Sequence, residues 1–399
     1  MQPQPDGERW DVFCRVVDNY GDVGVSWRLA RQLAREHGKH VRLWLDDLTV
    51  LAKLRPEIDA ARDSQHLEGV EVARLRQPMG EPDVADVVVE TFGCDPPEEY
   101  VSAMAARESR PRWINLEYLS AEEWVEASHA LPSPNPRLPL VKHYFFPGFT
   151  ARTGGLLRER SLINRRDEFQ GDAGAQSAFW VSLVGKAPPR HALKVSVFAY
   201  AGAPLESLAR ACQRYPGPVW LVASEGVAAS ALRSLVSPRH DTIRRNDHQG
   251  GNRRELEVFT VPFLAQDRYD ELLWASDVNF VRGEDSFVRA QWAARPFVWN
   301  VYPTDDGAHW VKMAAFLARY TAALDRPQAA AVTSLWEAWN RRGDAESSGK
   351  AAPSLANAWA DFIGRREALQ EHAKAWSAAL AARRDLSAEL ADFARGMVK

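Results

Sequence analysis

The sequence predicts an α/β protein built from two halves of the same kind, each with a parallel sheet. Three observations lead to this prediction. Strand and helix patterns alternate between residues 10 and 116, which is typical of βαβ units. A second alternation of the same type runs from 193 to 299. In each half, a charged loop that contains glycine joins one strand to the next helix, where open α/β sheets bind ligands.

The first half is predicted from its hydrophobic pattern. The segment 86–91 is apolar with little alternation, which is typical of a parallel strand buried on both faces. Apolar residues recur at helical spacing from Trp27 to Ala34, and the helix is expected to end near Gly38. The predicted strands are 10–17, 41–45, 86–91 and 113–116, and the predicted helices are 25–38 and 97–107.

The second half follows a polar, glycine-containing segment, 158–176, which is predicted to link two domains. The basic segment 237–254 is predicted to be a surface loop. From Ala308 onward the pattern is mostly helical. The predicted strands are 193–198, 218–223, 256–261, 277–281 and 297–299, and the predicted helices are 204–215, 227–235, 266–275 and 287–294.

Composition excludes several classes of function. The formal net charge of −3 over 399 residues provides no basic field to recruit nucleic acid. No apolar run approaches the roughly 20 residues of a membrane span, and the N-terminus lacks the features of a signal peptide. The three cysteines form no CxxC pair, and the histidines show no paired ligand spacing, so no metal site is predicted. We expect a cytoplasmic protein.

The first charged loop, Asp18-Asn-Tyr-Gly-Asp-Val-Gly24, carries two carboxylates four residues apart. A tight turn needs the glycines but does not need the acids. The loop is not the dinucleotide fingerprint, because its glycine spacing differs and its acids would repel a pyrophosphate. Two interpretations stay open. Asp18 and Asp22 cap the helix that follows, or a carboxylate acts as a general base on a cationic or hydroxyl-bearing substrate.

The second charged loop, Arg282-Gly-Glu-Asp-Ser286, precedes the helix predicted at 287–294. The free N–H groups at a helix start can hold a phosphate, with the Ser286 hydroxyl and the Arg282 charge as further ligands. Alternatively, Asp285 or Ser286 simply caps the helix, and both interpretations can hold together. Glu284 is harder to explain as a cap. A carboxylate beside a phosphate site typically contacts sugar hydroxyls or a cationic partner.

Three further residues follow strand ends in the second half. Gln266 begins a helix directly after a strand, so its amide can either read a base edge or cap the helix. Phe198 and Tyr200 lie at the end of the strand 193–198, where aromatic rings either stack on a base or belong to the core.

Three long segments that contain these loops, 16–33, 262–274 and 277–292, resemble the EarP family. These are bacterial enzymes that attach rhamnose to an arginine of translation elongation factor P. The resemblance covers nearly the whole chain. The departures within the motifs are mild, with Tyr20 where phenylalanine is expected and Val23 where isoleucine is expected.

The resemblance implies a GT-B glycosyltransferase fold, with two Rossmann-like domains facing across a cleft and a C-terminal helix crossing back to the N-domain. It implies an acceptor-binding domain at 1–165, a nucleotide-sugar domain at 178–370 and a helical segment at 371–399 that packs on the N-domain. The implied reaction moves L-rhamnose from dTDP-β-L-rhamnose to an arginine of elongation factor P. It proceeds with inversion and without a metal or cofactor.

Matched position by position, the family's essential acids correspond to Asp18, Asp22 and Glu284. The residues on the nucleotide side correspond to Phe198, Tyr200, Gln266, Arg282, Asp285 and Ser286.

The residue types suit this chemistry. A guanidinium is protonated at ordinary pH and is a poor nucleophile, so it needs carboxylates that grip it and accept its proton. Asp22 is the candidate base, and Asp18 would position the guanidinium. Arg282 and the helix start at Ser286 would stabilise the departing diphosphate, while Glu284 would hold a sugar hydroxyl.

Two alternatives remain from the sequence. A GT-B transferase could use another nucleotide sugar with a saccharide or lipid acceptor. Such enzymes often carry a basic membrane-facing patch, whereas here only 237–254 is rich in arginine. A non-catalytic nucleotide-binding protein is disfavoured, because it has no use for clustered acids near a phosphate.

Overall fold

The computed structural model describes residues 7–17, 20–226, 229–232, 242–244, 255–341 and 354–397. It is an α/β protein with two mostly parallel sheets, which confirms the predicted class. Contacts divide the chain into unit 1, Met1–Arg160 with Leu380–Lys399, and unit 2, Ser161–Ala379. Relative to the predicted boundaries, residues 161–165 and 371–379 lie in unit 2.

Unit 1 contains an eight-stranded sheet in the order β3-β4-β2-β1-β5-β6-β8-β7. The six inner strands are parallel, and the edge strands β3 and β7 pair antiparallel with their neighbours. The chain builds outward from β1 in one direction and from β5 in the other, so the topological switch lies between these two strands. The strands are β1 (Arg9–Cys14), β2 (His40–Leu45), β3 (Ser64–Leu67), β4 (Val70–Arg74), β5 (Val87–Thr91), β6 (Arg112–Leu116), β7 (Pro132–Pro134) and β8 (Val141–Phe145).

Unit 2 contains a six-stranded sheet in the order β11-β12-β10-β9-β13-β14. All neighbours are parallel except β11, which pairs antiparallel with β12. Its topological switch lies between β9 and β13. The strands are β9 (Leu193–Val197), β10 (Val219–Ser224), β11 (Thr242–Arg244), β12 (Glu255–Val261), β13 (Val278–Arg282) and β14 (Phe297–Asn300).

Helices connect the parallel strands. Among the residues that the structure describes, no helix combines the length and the apolar character needed to cross a lipid bilayer. The helices are α1 (Tyr20–His37), α2 (Leu48–Leu54), α3 (Glu98–Ala106), α4 (Trp124–Ser128), α5 (Leu162–Gly171), α6 (Ala173–Val184), α7 (Leu205–Cys212), α8 (Gln266–Ala275), α9 (Glu284–Trp292), α10 (Ala308–Tyr320), α11 (Arg326–Asn340), α12 (Leu355–Gly364), α13 (Arg366–Ala381) and α14 (Leu386–Gly396).

The last helix, α14, packs against α1 within unit 1. Asp385 caps α14 by accepting hydrogen bonds from Ser387 N and Ala388 N. The same carboxylate accepts a hydrogen bond from Gln32 Nε2 of α1 at 3.1 Å. His37 and Ser387 join the two helices a second time at 3.0 Å. The end of the chain therefore belongs to the fold of unit 1.

The boundary between the two units, Arg160/Ser161, falls inside the segment 158–176 that is predicted to link two domains, and most of this segment is helical, in α5 and α6. Asp172 caps α6 by accepting hydrogen bonds from Gly174 N and Ala175 N. The residues that anchor α6, Phe179 and Trp180, lie just beyond the polar window and are buried with the core of unit 2. The composition of residues 158–176 therefore does not reveal the packing that orders this segment.

Two helices begin earlier than predicted, and both corrections concern the charged loops. Helix α1 begins at Tyr20 rather than at Val25, because its glycines are accommodated in a buried first turn. Helix α9 begins at Glu284 rather than at Phe287. The acids Asp22 and Glu284 therefore lie in the first turn of a helix. Strand β1 is correspondingly shorter than predicted and ends at Cys14.

Some of the predicted elements lie largely outside the described residues. Of the helix predicted at 227–235, residues 229–232 are helical. Of the loop predicted at 237–254, residues 242–244 form β11, and the rest lies outside the described residues. The strands β3, β4, β7 and β8 were not predicted, because their short segments do not show a clear alternation.

One buried carboxylate lies below the carboxyl edge of the unit 1 sheet. Glu90 of β5 is fully buried, and its Oε2 accepts a hydrogen bond from Trp113 Nε1 at 3.1 Å. Lys142 of β8 forms an ion pair with Glu90 and also lies 3.3 Å from Asp95. Burial raises the pKa of Glu90 to about 7, although Lys142 opposes the shift. Glu90 therefore exchanges a proton near neutral pH.

We predict that Glu90→Gln changes the pH dependence of unfolding. A carboxyl group whose pKa is higher in the folded than in the unfolded state stabilises the folded state at pH values below its unfolded-state pKa. This stabilisation is lost as the pH rises toward about 7. The difference in unfolding free energy, wild type minus variant, should decrease by up to roughly 3 kcal/mol as the pH rises from about 4.5 to about 8. Urea unfolding at several pH values measures it. A difference that stays constant or rises contradicts the assignment.

We also predict that Gly283→Ala destabilises the protein. Gly283 immediately precedes α9 with φ 66° and ψ −177°, a conformation that is essentially restricted to glycine. An alanine there should cost about 1 to 3 kcal/mol of unfolding free energy. Gly171→Ala is the matched control. Gly171 ends α5 without a positive φ, and a Cβ added there would meet no atom within 4 Å. Equal effects of the two substitutions in urea unfolding would show that Gly283 carries no special strain.

Candidate active site

In unit 1 the candidate site lies where β1 and β5 diverge at the carboxyl edge of the sheet. Ligands of open α/β sheets bind at this kind of position, because the loops that follow the two strands separate there. Helix α1 follows β1 after five residues, so its first turn lies at this edge. The residues that follow β5 and β6 lie at the same edge, since these strands are parallel to β1.

Asp22 lies in the first turn of α1 and is only 1% exposed. Its Oδ2 accepts a hydrogen bond from Val17 N at 3.0 Å, which ties the end of the loop back to the helix. Its Oδ1 accepts a hydrogen bond from the Tyr118 hydroxyl at 3.3 Å. The two donors hold both carboxylate oxygens in a fixed orientation. A negative charge at this place is also favoured by the helix dipole.

The donor Tyr118 is itself fixed by an aromatic pair. Its ring stacks on Phe92 with centroids 4.4 Å apart and an interplanar angle of 18°. Phe92 follows β5 with φ 57°, a left-handed conformation that is uncommon for an aromatic residue. Loops after β5 and β6 therefore combine with the first turn of α1 around a single carboxylate.

Asp18, the other predicted acid of this loop, lies outside the described residues, so its role stays a prediction. Tyr20, where the sequence departs from the expected phenylalanine, begins α1. Lys53 of α2 lies over the Tyr20 ring at 5.9 Å from its centroid.

In unit 2 the candidate site lies at the carboxyl edge around β9 and β13. Phe198 continues β9 beyond its last residue, with its N–H donating to Phe280 O of β13 at 2.8 Å. Arg282 ends β13, and Gln266 begins α8 shortly after β12. The structure thus brings these predicted residues to one edge of one sheet, within a single unit.

Arg282 lies between the two predicted aromatic residues. Its Cζ is 4.4 Å from the Phe198 ring centroid and 4.7 Å from the Tyr200 ring centroid. Cation–π contacts of this kind are worth about 0.5 to 2 kcal/mol and orient the guanidinium. Tyr200 also packs edge-on against Tyr302 at 5.4 Å. Tyr200 is buried, and both rings contact the Arg282 guanidinium, so they can orient it.

Ser286 closes the turn that precedes its own helix. Its hydroxyl accepts a hydrogen bond from Arg282 N at 3.1 Å and donates to Arg282 O. The N-cap position of α9 is Gly283, and Asp285 and Ser286 lie inside the first turn, so the interpretation of either residue as the N-cap is wrong. Instead, the hydroxyl fixes the Arg282 backbone beside the first turn of the helix.

Gln266 and Asp285 form a pair across two helix starts. Gln266 Nε2 donates to Asp285 Oδ2 at 3.1 Å, and Gln266 is 2% exposed. No side-chain hydrogen bond caps α8, so Gln266 does not serve as a cap. Glu284 is half-buried in the same first turn as Asp285. The first turn of α9 therefore carries two acids, two and three residues after Arg282 in the chain.

Several residues of these regions were not found from the sequence. Tyr118 and Phe92 each follow a strand at the carboxyl edge, and that position is the signal that could have identified them. Trp299 donates its Nε1 to Gly283 O at 3.2 Å and stacks on Phe287 at 4.0 Å. Nothing in the sequence pattern marks that hydrogen bond, because the two residues are separated by a whole helix.

Comparison with known proteins identifies the family of this chain. The family model of the Elongation-Factor P (EF-P) rhamnosyltransferase EarP matches residues 10–395. A protein-arginine rhamnosyltransferase of Pseudomonas putida is 45% identical over 97% of this chain and 98% of its own length. Another, from Pseudomonas aeruginosa, is 42% identical over 96% of this chain and 98% of its own length.

A solved structure, described as the structural basis for EarP-mediated arginine glycosylation of translation elongation factor EF-P, is 34% identical to this chain. It aligns with a TM-score of 0.66 and covers 98% of this chain and 100% of its own. A glycosyltransferase from Rickettsia africae shares the fold at 8% identity, with a TM-score of 0.53 over 99% of this chain and 100% of its own. The predicted GT-B glycosyltransferase class and the family resemblance are confirmed. This chain belongs to the EarP family of EF-P rhamnosyltransferases.

Proposed function

We propose that this protein transfers L-rhamnose from dTDP-β-L-rhamnose to an arginine side chain of translation elongation factor P, with inversion at the anomeric carbon. The observation that carries the proposal is the match to protein-arginine rhamnosyltransferases at 45% identity over 97% of the chain. The donor, the inversion and the acceptor are implied by the family. The residues of unit 2 suit the donor, and those of unit 1 suit the acceptor.

The residues of unit 2 suit a nucleoside diphosphate sugar. Arg282 provides a positive charge, and the first turn of α9 presents backbone N–H groups that have no intrahelical partner. Both features stabilise the negative charge that develops on a departing diphosphate. Phe198 and Tyr200 orient the Arg282 guanidinium, while Glu284 would hold a hydroxyl of the sugar. Gln266 would contact the base or its ribose.

The residues of unit 1 suit a cationic acceptor. An arginine guanidinium stays protonated unless a carboxylate accepts one of its protons, and it binds carboxylates in a planar, two-pronged geometry. Asp22 would be this base, and Asp18 would hold the guanidinium in position. The Asp22 oxygens contact Val17 N and Tyr118 Oη, and each carboxylate oxygen can accept more than one hydrogen bond, so binding of a substrate nitrogen does not require either donor to leave.

The chemistry then follows from placement. The carbon–oxygen bond to the diphosphate breaks as the guanidinium nitrogen forms a bond to the opposite face of the anomeric carbon. The nitrogen loses its proton to Asp22, and the diphosphate leaves with the bonding electron pair. This route requires neither a metal nor a cofactor, in line with the implication of the family. Positioning contributes most, because a loose transition state needs little covalent help.

The direct test is a reconstituted reaction. The purified protein, dTDP-β-L-rhamnose and elongation factor P should yield elongation factor P heavier by one deoxyhexose residue in an intact-mass measurement. Fragmentation should place the sugar on one arginine. Elongation factor P with that arginine changed to lysine is the control, and it should stay unmodified.

Two results would redirect the proposal. Transfer from another nucleotide sugar but not from dTDP-β-L-rhamnose would overturn the donor. Unmodified elongation factor P, together with transfer to a saccharide or lipid, would favour the alternative class of GT-B transferase.

We predict that Asp22→Asn lowers the turnover number by about 100- to 10,000-fold, the usual range for loss of a general base. The affinity for dTDP, measured by calorimetry, should be retained because the nucleotide residues lie in unit 2. Tyr118→Phe is the matched control, since it removes one donor to Asp22 but leaves the carboxylate. It should retain much more activity than Asp22→Asn. If both variants lose turnover equally, Asp22 acts only as an anchor of the loop.

A further inference from the structure

A side-chain amide outside the predicted site holds the carboxyl end of β14. Asn340 is the last residue of α11. Its Nδ2 donates to Trp299 O at 2.8 Å and to Trp336 O at 2.9 Å. Its Oδ1 accepts from Val301 N at 2.9 Å and from Asn300 Nδ2 at 3.3 Å. An amide side chain can make two donations and two acceptances, and Asn340 makes all of them.

From Asn340, one path leads to the aromatic residues around Arg282. Asn300 donates to Asn340 and, with its own Oδ1, accepts a hydrogen bond from the buried Tyr200 N at 2.9 Å. The Tyr200 ring lies 4.7 Å from Arg282 Cζ. Two amides in series therefore determine where the Tyr200 backbone lies, and with it one of the two rings that orient the Arg282 guanidinium.

A second path leads to the start of α9. Asn340 holds the Trp299 carbonyl, and the Trp299 indole donates to Gly283 O at 3.2 Å. The same indole stacks on Phe287 at 4.0 Å, which fixes its plane. Gly283 is the turn residue from which the first helical N–H groups of α9 follow. Asn340 is thus connected both to the Tyr200 ring beside Arg282 and to the Gly283 turn that precedes α9.

We propose that Asn340 is a positioning residue for nucleotide-sugar binding, acting through Asn300 on Tyr200 and through Trp299 on the Gly283 turn. The inference rests on the proposed function of unit 2. Neutral amides suit this role, because they satisfy backbone groups without adding a charge that would compete with the Arg282 guanidinium for a diphosphate. These four hydrogen bonds of Asn340 go to none of the predicted site residues, so its effect passes through its neighbours.

Asn340→Ala tests the proposal by separating donor binding from the other steps. We expect the dissociation constant for dTDP, measured by calorimetry, and the KM for dTDP-β-L-rhamnose to rise about tenfold or more, as for a displaced binding group. The KM for elongation factor P should not change. A purely structural role would lower the melting temperature without this selective effect on the donor.

Gln170→Ala is the matched control. Gln170 Nε2 also joins two backbone carbonyls of unit 2, Trp274 O at 3.2 Å and Ala293 O at 3.0 Å. These carbonyls precede β13 and β14, at the amino edge of the same sheet. The control should lose comparable thermal stability but keep the wild-type dissociation constant for dTDP. Equal donor affinity in Asn340→Ala and the wild type, or equal weakening in both variants, overturns the proposal.

Two further outcomes stay distinguishable. If Asn340→Ala does not fold, Asn300→Ala removes only the path to Tyr200, and it should weaken dTDP binding as well; unchanged binding there overturns the inference. If the wild type neither binds dTDP nor modifies elongation factor P, the proposed function itself fails. If the wild type does both and the Asn340 variant matches it, only the positioning role fails.

Discussion

The start of the helix that follows a parallel strand is the constraint on which both candidate sites depend. At that junction the strand has delivered the chain to the carboxyl edge of the sheet, and the first helical turn directs its N–H groups toward that edge. In unit 1 the first turn of α1 carries Asp22, and in unit 2 the first turn of α9 carries Glu284 and Asp285. A negatively charged side chain in a first turn is stabilised by the helix dipole.

The two sites use this junction for opposite purposes. In unit 1 hydrogen-bond donors surround one buried carboxylate, and Tyr118 is held in turn by its stack on Phe92. In unit 2 a guanidinium is oriented by two aromatic rings, and the backbone beside it is fixed by the Ser286 hydroxyl. A carboxylate centre suits a cationic acceptor, whereas a guanidinium beside a helix start suits a diphosphate. Membership of a family of arginine rhamnosyltransferases accounts for both in one chain.

Three polar side chains that shape the unit 2 site act on backbone atoms. Ser286, Asn300 and Asn340 all hydrogen-bond to main-chain groups of loops at the carboxyl edge. Loops at such an edge lack the ladder of hydrogen bonds that stabilises a strand, so side chains must supply the missing partners. The precision of the site therefore depends on residues that come from β14 and α11 as much as on the loops themselves.

The sequence alone determined the α/β class, most of the parallel strands and the edge at which the acids and Arg282 lie, because periodicity and loop position are local properties. It also identified the family through segments that carry those residues. Only the tertiary structure decided that α1 begins at Tyr20 and α9 at Glu284: the glycines inside α1 discourage a helix in isolation but are tolerated where the helix is packed, whereas Gly283 lies before α9. Only the tertiary structure shows that Tyr118 donates to Asp22 and that Asn340 is linked through Asn300 to Tyr200. Hydrogen bonds between distant residues depend on packing that no local pattern encodes.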